Sequence, residues 1–155
     1  MKRNNVENKL IFILIIALFI SSYLIYIHYS ENSTFCDISP SLSCDIVNKS
    51  RYAEFPPGNG IPVSILGFIA FFLMLIITIL IKENYSFKLN KININKKLYV
   101  NNLIILLIIS LIFALYLVYA EIFLILSVCI LCVALDVLLI LMLYYSFKLR
   151  SLNEK

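Results

Sequence analysis

The residues of this 155-residue chain best equipped for chemistry are its four cysteines, Cys36 and Cys44 in CDISPSLSC and Cys129 and Cys132 in CILC. Two residues between cysteines is a spacing with a mechanism. At the start of a helix, Cys129 meets unpaired backbone N–H groups and the positive end of the helix dipole, both of which favour the thiolate. Cys132, one turn on, can then resolve a mixed disulfide. A second pair in the same short chain gives that centre something to exchange with. Three other readings stay open at this point. The cysteines of CILC could be small apolar residues of a membrane helix, and Cys36 and Cys44 a static staple of a loop. Four thiolates could also hold zinc, but the seven residues between Cys36 and Cys44 exceed the close spacing of structural zinc sites, so no metal is assigned. His28 is the only histidine, which leaves a hydrolase a single possible base. It sits with Tyr23, Tyr26 and Tyr29 as in an interfacial belt and is given no role.

The elements that must position these cysteines follow from composition. With 62% hydrophobic and 14% charged residues, the chain is too apolar for a water-soluble domain. It offers no basic groove for nucleic acid. A crossing of a bilayer core about 30 Å thick takes about 20 residues, so the length allows four crossings in one integral membrane domain over 1–155. Uncharged runs place helices at about 10–29, 61–81, 100–121 and 128–147, with a polar loop over 30–60 and a basic, Asn-rich loop over 82–99. The first run exceeds a signal h-region and lacks an A-x-A-like cleavage site, so it reads as a retained helix. Ser43 to Phe55, free of Gly and Pro, suits a short helix lying over the bundle. From Leu103 to Phe147 the chain is almost unbroken apolar sequence, too long for one crossing, and no Gly or Pro marks its turn. Glu121, costly in hydrocarbon, reads as an interfacial end marker and puts the turn within Glu121 to Val128. Eleven of the thirteen Lys and Arg then fall on one side, with only Lys49 and Arg51 on the other. That bias predicts both termini in the cytoplasm of a multi-pass cell-membrane protein and all four cysteines facing outward, where disulfides persist.

In their order along the chain these features resemble the vitamin K epoxide reductase family, in its prokaryotic, disulfide-forming branch. The resemblance rests on Cys36-Asp37 followed by Cys44, on Ser50-Arg51-Tyr52, on GIPVSILG entering the second span, on Tyr116-Leu117 in the third, and on the CILC that opens the fourth. It covers roughly residues 10–147. It implies a four-transmembrane-helix bundle around a quinone of the menaquinone, ubiquinone or vitamin K type, with an outer loop and short-helix cap. By the same resemblance, Cys36 and Cys44 take electrons from a separate thioredoxin-fold protein on the outer side. Cys44 then attacks the Cys129–Cys132 disulfide, and the freed Cys132 reduces a quinone from the membrane pool. Ser50 and Asp37 match supporting positions of the loop. Animal members place an Asn and a Tyr against the quinone carbonyls, where this chain has Val63 and Asp136, which implies plain quinone reduction rather than epoxide reduction.

The expected activity is therefore a quinone-dependent thiol:disulfide oxidoreductase that supports disulfide formation in exported proteins. Its rivals are a quinone or quinone-epoxide reductase whose product is the reduced quinone, and a non-enzymatic membrane protein with structural disulfides. Cys132, Asp136, Val63 and Tyr116 are the expected quinone contacts. Asp136 stands one helical turn beyond Cys132 and either serves the quinone or pairs with a hydroxyl of Ser21, Ser22 or Ser110. Gly67 and Ser64 are expected to let a neighbouring helix approach closely.

Overall fold

The structure is a computed structural model that describes residues 3–30, 35–58, 60–83, 88–89, 92–93 and 96–153. Among the described residues, four helices are long and apolar enough to cross a membrane. They are α1 (Arg3–Tyr29), α3 (Val63–Lys82), α4 (Lys96–Tyr119) and α5 (Ile130–Asn153). α1 packs against α3 and α5, α3 against α4, and α4 against α5, so the helices close into a ring of sequence neighbours. Large apolar side chains such as Phe19, at 73% exposure, point away from the bundle, as a bilayer requires. Two buried hydroxyls in the spans are satisfied locally: Ser21 Oγ donates to the Ala17 carbonyl at 2.7 Å and Thr78 Oγ1 to that of Met74 at 2.8 Å.

The helices outrun the apolar sequence that marks them. α1 begins at Arg3 rather than near residue 10, because Arg3 and Glu7 pair across one turn at 3.3 Å. α4 starts at Lys96 and α5 continues to Asn153, past the expected 100 and 147. The connection between α3 and α4 contains a short antiparallel pair, β5 (Lys88–Leu89) with β6 (Ile92–Asn93); the rest of that basic loop lies largely outside the described residues.

The long connection between α1 and α3 forms a cap of small pieces. β1 (Asp37–Ser39) and β2 (Leu42–Ser43) make a hairpin that pairs Asp37 with Ser43. The residues just outside that pair, Cys36 and Cys44, are therefore brought opposite each other. Ser43 caps α2 (Cys44–Asn48) by accepting the Ile46 N–H on its hydroxyl at 3.0 Å. The single short helix expected over 43–55 is instead two pieces. Ser50 is extended, with φ −70° and ψ 155°, and divides α2 from a 3-10 turn at Arg51–Ala53. Strands β3 (Glu54–Phe55) and β4 (Ile61–Pro62) then lead into α3. The cap is tied to α1 at two points. His28 Nδ1–H donates to the Asn48 carbonyl at 2.7 Å, and Asn48 Nδ2 donates to the Leu24 carbonyl. His28 is thus a structural tie as well as a ring packed edge-on against Tyr29.

α4 does not end where Glu121 was expected to mark its limit. It continues as a π-helical turn over Ala120–Ile125, and the chain reverses at residues 126–129. Leu126, at φ 57° and ψ 30°, takes the left-handed position that glycine usually fills.

Candidate redox site

Cys36 and Cys44 are joined in a disulfide with Cα atoms 5.5 Å apart, and Cys129 and Cys132 are free thiols. Cys36, Cys44 and Cys129 belong to one buried cluster with Leu24, Ile27 and Val47, and Cys132 packs against it. The fold therefore collects both pairs in one place. The hairpin also touches the turn that carries CILC: the Val128 N–H donates to the Ser41 carbonyl at 3.0 Å, and Leu42 bridges to Val128 in parallel fashion. A main-chain bond thus joins the loop between the first two cysteines to the residue before the third.

Cys129 stands immediately before α5, and its Sγ accepts the Cys132 N–H at 3.2 Å. The sulfur fills the place of a helix-capping oxygen, meeting one of the unpaired N–H groups of the first turn. The Cys129 N–H in turn donates to Glu121 Oε2 at 3.1 Å. Glu121 is only 4% exposed. Its own carbonyl accepts the Leu126 and Ser127 N–H groups, so one residue holds the turn through both main chain and side chain. The reading of Glu121 as an interfacial marker is corrected: the carboxylate is folded inward and satisfied by the turn.

Below the cysteines lies a cavity of about 460 Å³, within the usual range of small-molecule sites. Its wall is mostly apolar, with Leu, Ile, Phe and Ala side chains from α1, α3, α4 and α5. A few polar groups converge on it, among them Ser64, Glu121, Cys132 and Asp136, with Asn48, Ser50 and Tyr52 from the cap. The Ser64 hydroxyl is buried without a hydrogen-bond partner among the described residues. It lies in the first turn of α3, where no helical carbonyl stands four residues back to receive it. An apolar chamber with an unspent hydroxyl on one wall and a thiol on another suits a flat apolar molecule with carbonyl oxygens, and a quinone is of that kind.

Of the residues expected at the quinone, Cys132, Asp136 and Val63 are on the cavity wall and Tyr116 is not. Tyr116 is 45% exposed beside Phe113, with ring centroids 6.1 Å apart. Leu106, Ile109, Phe113, Leu117 and Ala120 form the stripe of α4 that faces the chamber, and Tyr116 falls to its side. Ser50 lies on the wall, its hydroxyl donating to the Val47 carbonyl at 2.8 Å, whereas Asp37 is exposed on β1 next to Cys36. The Ser21 and Ser22 hydroxyls donate to the Ala17 and Leu18 carbonyls and are not partners of Asp136. Nor does Gly67 admit a helix. A Cβ built there meets nothing within 4 Å, because the residue opens onto the chamber. Tyr52 and Glu121 on the wall were missed as site residues; the adjacency of Tyr52 to Ser50 was the only local signal for it.

The vitamin K epoxide reductase family model matches residues 9–147. The chain belongs to the vitamin K epoxide reductase family. A search among curated proteins finds no match. Family membership and the four apolar helices make the chain a multi-pass helical membrane protein and an oxidoreductase of a quinone-linked family.

Proposed function

We propose that this member of the vitamin K epoxide reductase family is a membrane thiol:quinone oxidoreductase that reoxidises a thioredoxin-fold partner and so supports disulfide formation in exported proteins. The observation that carries the reading is the gathering of four cysteines into one cluster, with Cys132 on the wall of an apolar chamber. The partner's dithiol reduces Cys36–Cys44. The Cys44 thiolate then attacks Cys129 of an oxidised Cys129–Cys132 pair, forming a Cys44–Cys129 link and releasing Cys132 toward the chamber. Attack of Cys36 on Cys44 restores the loop disulfide and leaves two electrons on Cys129 and Cys132. The disulfide at Cys36–Cys44 with free thiols at Cys129 and Cys132 matches that stage of the cycle. A quinone held in the chamber would supply the acceptor for the two electrons and two protons that the inner pair gives up as its disulfide closes. Ser64 and Asp136 would orient its oxygens from opposite walls. Direction follows potential: with respiratory quinones well above protein disulfides, and about 30 mV worth roughly 1.4 kcal/mol for two electrons, dithiol oxidation runs downhill. The bias of eleven basic residues against two supports a cysteine end that faces outward.

The test uses purified protein in detergent, a soluble quinone and excess reductant, following quinone absorbance. Wild type should consume quinone and Cys132→Ala should not. With a thioredoxin-fold dithiol as donor, Cys36→Ala and Cys44→Ala should also fail, yet both should turn over with a small dithiol that reaches the inner pair directly. Equal loss in all four variants with both donors overturns the shuttle order. No quinone loss in wild type, with thiols inert to reductant and alkylator, leaves a structural membrane protein.

A further inference from the structure

Glu121 is the one acid of the chamber that touches the CILC turn. Its Oε2 is fixed by the Cys129 N–H at 3.1 Å, and Cys132, one turn beyond Cys129, shares the chamber wall with it, as does Asp136. Cys132 is meanwhile oriented by its own N–H on Cys129 Sγ at 3.2 Å. The titratable groups facing Glu121 are few. The turn brings the free thiol of Cys129, whose N–H is on Glu121, α5 brings Cys132 and Asp136, and the cap brings Tyr52 to the wall. α2 brings Cys44, a thiol once the loop disulfide is reduced, and Asp45, paired with Lys49 at 3.8 Å. Among the described residues, α1, α3 and the rest of α4 place no charged side chain on the chamber. No cation therefore stands there to balance a second anion.

That arrangement constrains the chemistry of Cys132. A thiol must lose its proton to donate electrons or leave a disulfide. A thiolate beside a carboxylate in an apolar chamber sets two uncompensated charges side by side, which low polarity makes costly. Passing the proton from one group to the other leaves a single charge in place. We propose that Glu121 and Cys132 hold one proton between them, Glu121 receiving it when Cys132 becomes a thiolate. The step is Cys132 S–H plus Glu121 carboxylate going to Cys132 thiolate plus Glu121 carboxylic acid; one proton moves, no electron does, and Oε2 keeps the Cys129 N–H. The proton stays in the chamber instead of passing to bulk water, where the reduced acceptor can take it up. The proposal rests on Cys132 being the cysteine that faces the acceptor.

The experiment needs no quinone, so it can fail or succeed independently of quinone turnover. Reduced full-length protein in detergent is alkylated with iodoacetamide from about pH 6 to pH 9, and the modification of Cys132 is followed by fragment mass spectrometry. A pair that holds one proton keeps a constant share of thiolate, so the wild-type rate should stay nearly flat over that range. In Glu121→Gln, which retains an oxygen for the Cys129 N–H, the rate should instead climb about tenfold per pH unit below the thiol's own titration. The variant should therefore overtake wild type at the alkaline end. Equal slopes in the two proteins overturn the proposal and leave Glu121 as a cap of the turn. A wild-type rate that itself climbs tenfold per unit overturns it whether or not the variant folds. So does a flat profile lost in Asp136→Asn and kept in Glu121→Gln.

Discussion

Reducing the loop disulfide should loosen the cap without undocking it. The Cys36–Cys44 bridge spans eight positions, and the chain-entropy relation assigns a loop of that size about 2.5 kcal/mol at 25 °C. Other ties survive reduction. His28 Nδ1–H still reaches the Asn48 carbonyl, Asn48 Nδ2 that of Leu24, Val128 N–H that of Ser41, and Ser43 still caps α2. Each is worth on the order of 1 kcal/mol net, and the burial of Val47 and Cys44 adds to them. Together they outweigh the lost cross-link, so Cys44 should stay beside the CILC turn in its reduced form. At about 1.4 kcal/mol per factor of ten, local opening of the cap should become at most about 60-fold more frequent. Hydrogen exchange read by mass spectrometry on peptides covering residues 36–55 measures this directly, with and without a phosphine reductant. The Cys36→Ser/Cys44→Ser protein serves as the permanently unlinked form. Exchange within α5 should not change. Exchange of the whole cap at the rate of a free peptide after reduction would refute the reasoning, since the disulfide would then be the cap's sole anchor and the pair a staple rather than a shuttle.

Four further substitutions, at three positions, probe the chamber and the turns. Gly67→Phe should place a ring in the chamber, where a Cβ meets nothing within 4 Å, and raise the quinone KM at least tenfold; an unchanged KM would put the quinone elsewhere. Gly67→Ala should leave KM alone and stabilise α3 by roughly 0.5–1 kcal/mol, read as a higher Tm. Gly60→Ala would set a Cβ 2.2 Å from the Phe55 carbonyl carbon and 2.4 Å from the Pro56 oxygen. Backbone cannot yield as a side chain can, so the cap should lose roughly 1–3 kcal/mol, seen as faster exchange over residues 54–62. Leu126→Gly should relieve a left-handed residue that costs roughly 1–2 kcal/mol, less the chain entropy of glycine, and raise Tm slightly. A lower Tm would show that the Leu126 side chain, 74% exposed, anchors the turn in its surroundings.

The membrane spans were legible because hydrocarbon admits no unpaired backbone and few charges, so each crossing writes a long uncharged run. The same rule blurred their ends. Hydropathy marks the apolar part of a helix, whereas its hydrogen bonds continue through polar flanks such as Arg3–Glu7. The cysteine pairs were legible from type and spacing. What paired them in space was not, because the Asp37–Ser43 register and the Val128-to-Ser41 bond are main-chain events with no residue signature. The reversal before α5 was hidden for a related reason. A leucine occupies its left-handed position, and the polar group that satisfies it comes from Glu121, eight residues before Cys129. Read alone, a carboxylate near the end of a span suggests exposure; only the turn that folds an N–H onto it makes burial affordable. Tyr116 lies off the wall for want of phase, since it points about 100° away from its neighbour Leu117, which lines the chamber.

A division of labour between main chain and side chains follows from these contacts. The approach of the loop pair to the inner pair is set by backbone bonds at Ser41, Val128, Leu126 and Ser127, which tolerate many side chains. The chamber's chemistry is set by a handful of side chains on a wall that is otherwise uniform: Ser64, Glu121, Cys132 and Asp136. Substitutions at Ser64 and Asp136, which belong to neither the cysteine pairs nor the turn, should therefore change what the chamber accepts and how protons reach it while electrons still pass between the cysteine pairs. Substitutions that break the turn should stop that transfer while leaving the chamber intact. Measuring exchange between the pairs and quinone turnover separately, on the same variants, distinguishes the two classes. A wall variant that blocks disulfide exchange as severely as it blocks turnover would show that the two parts are not independent.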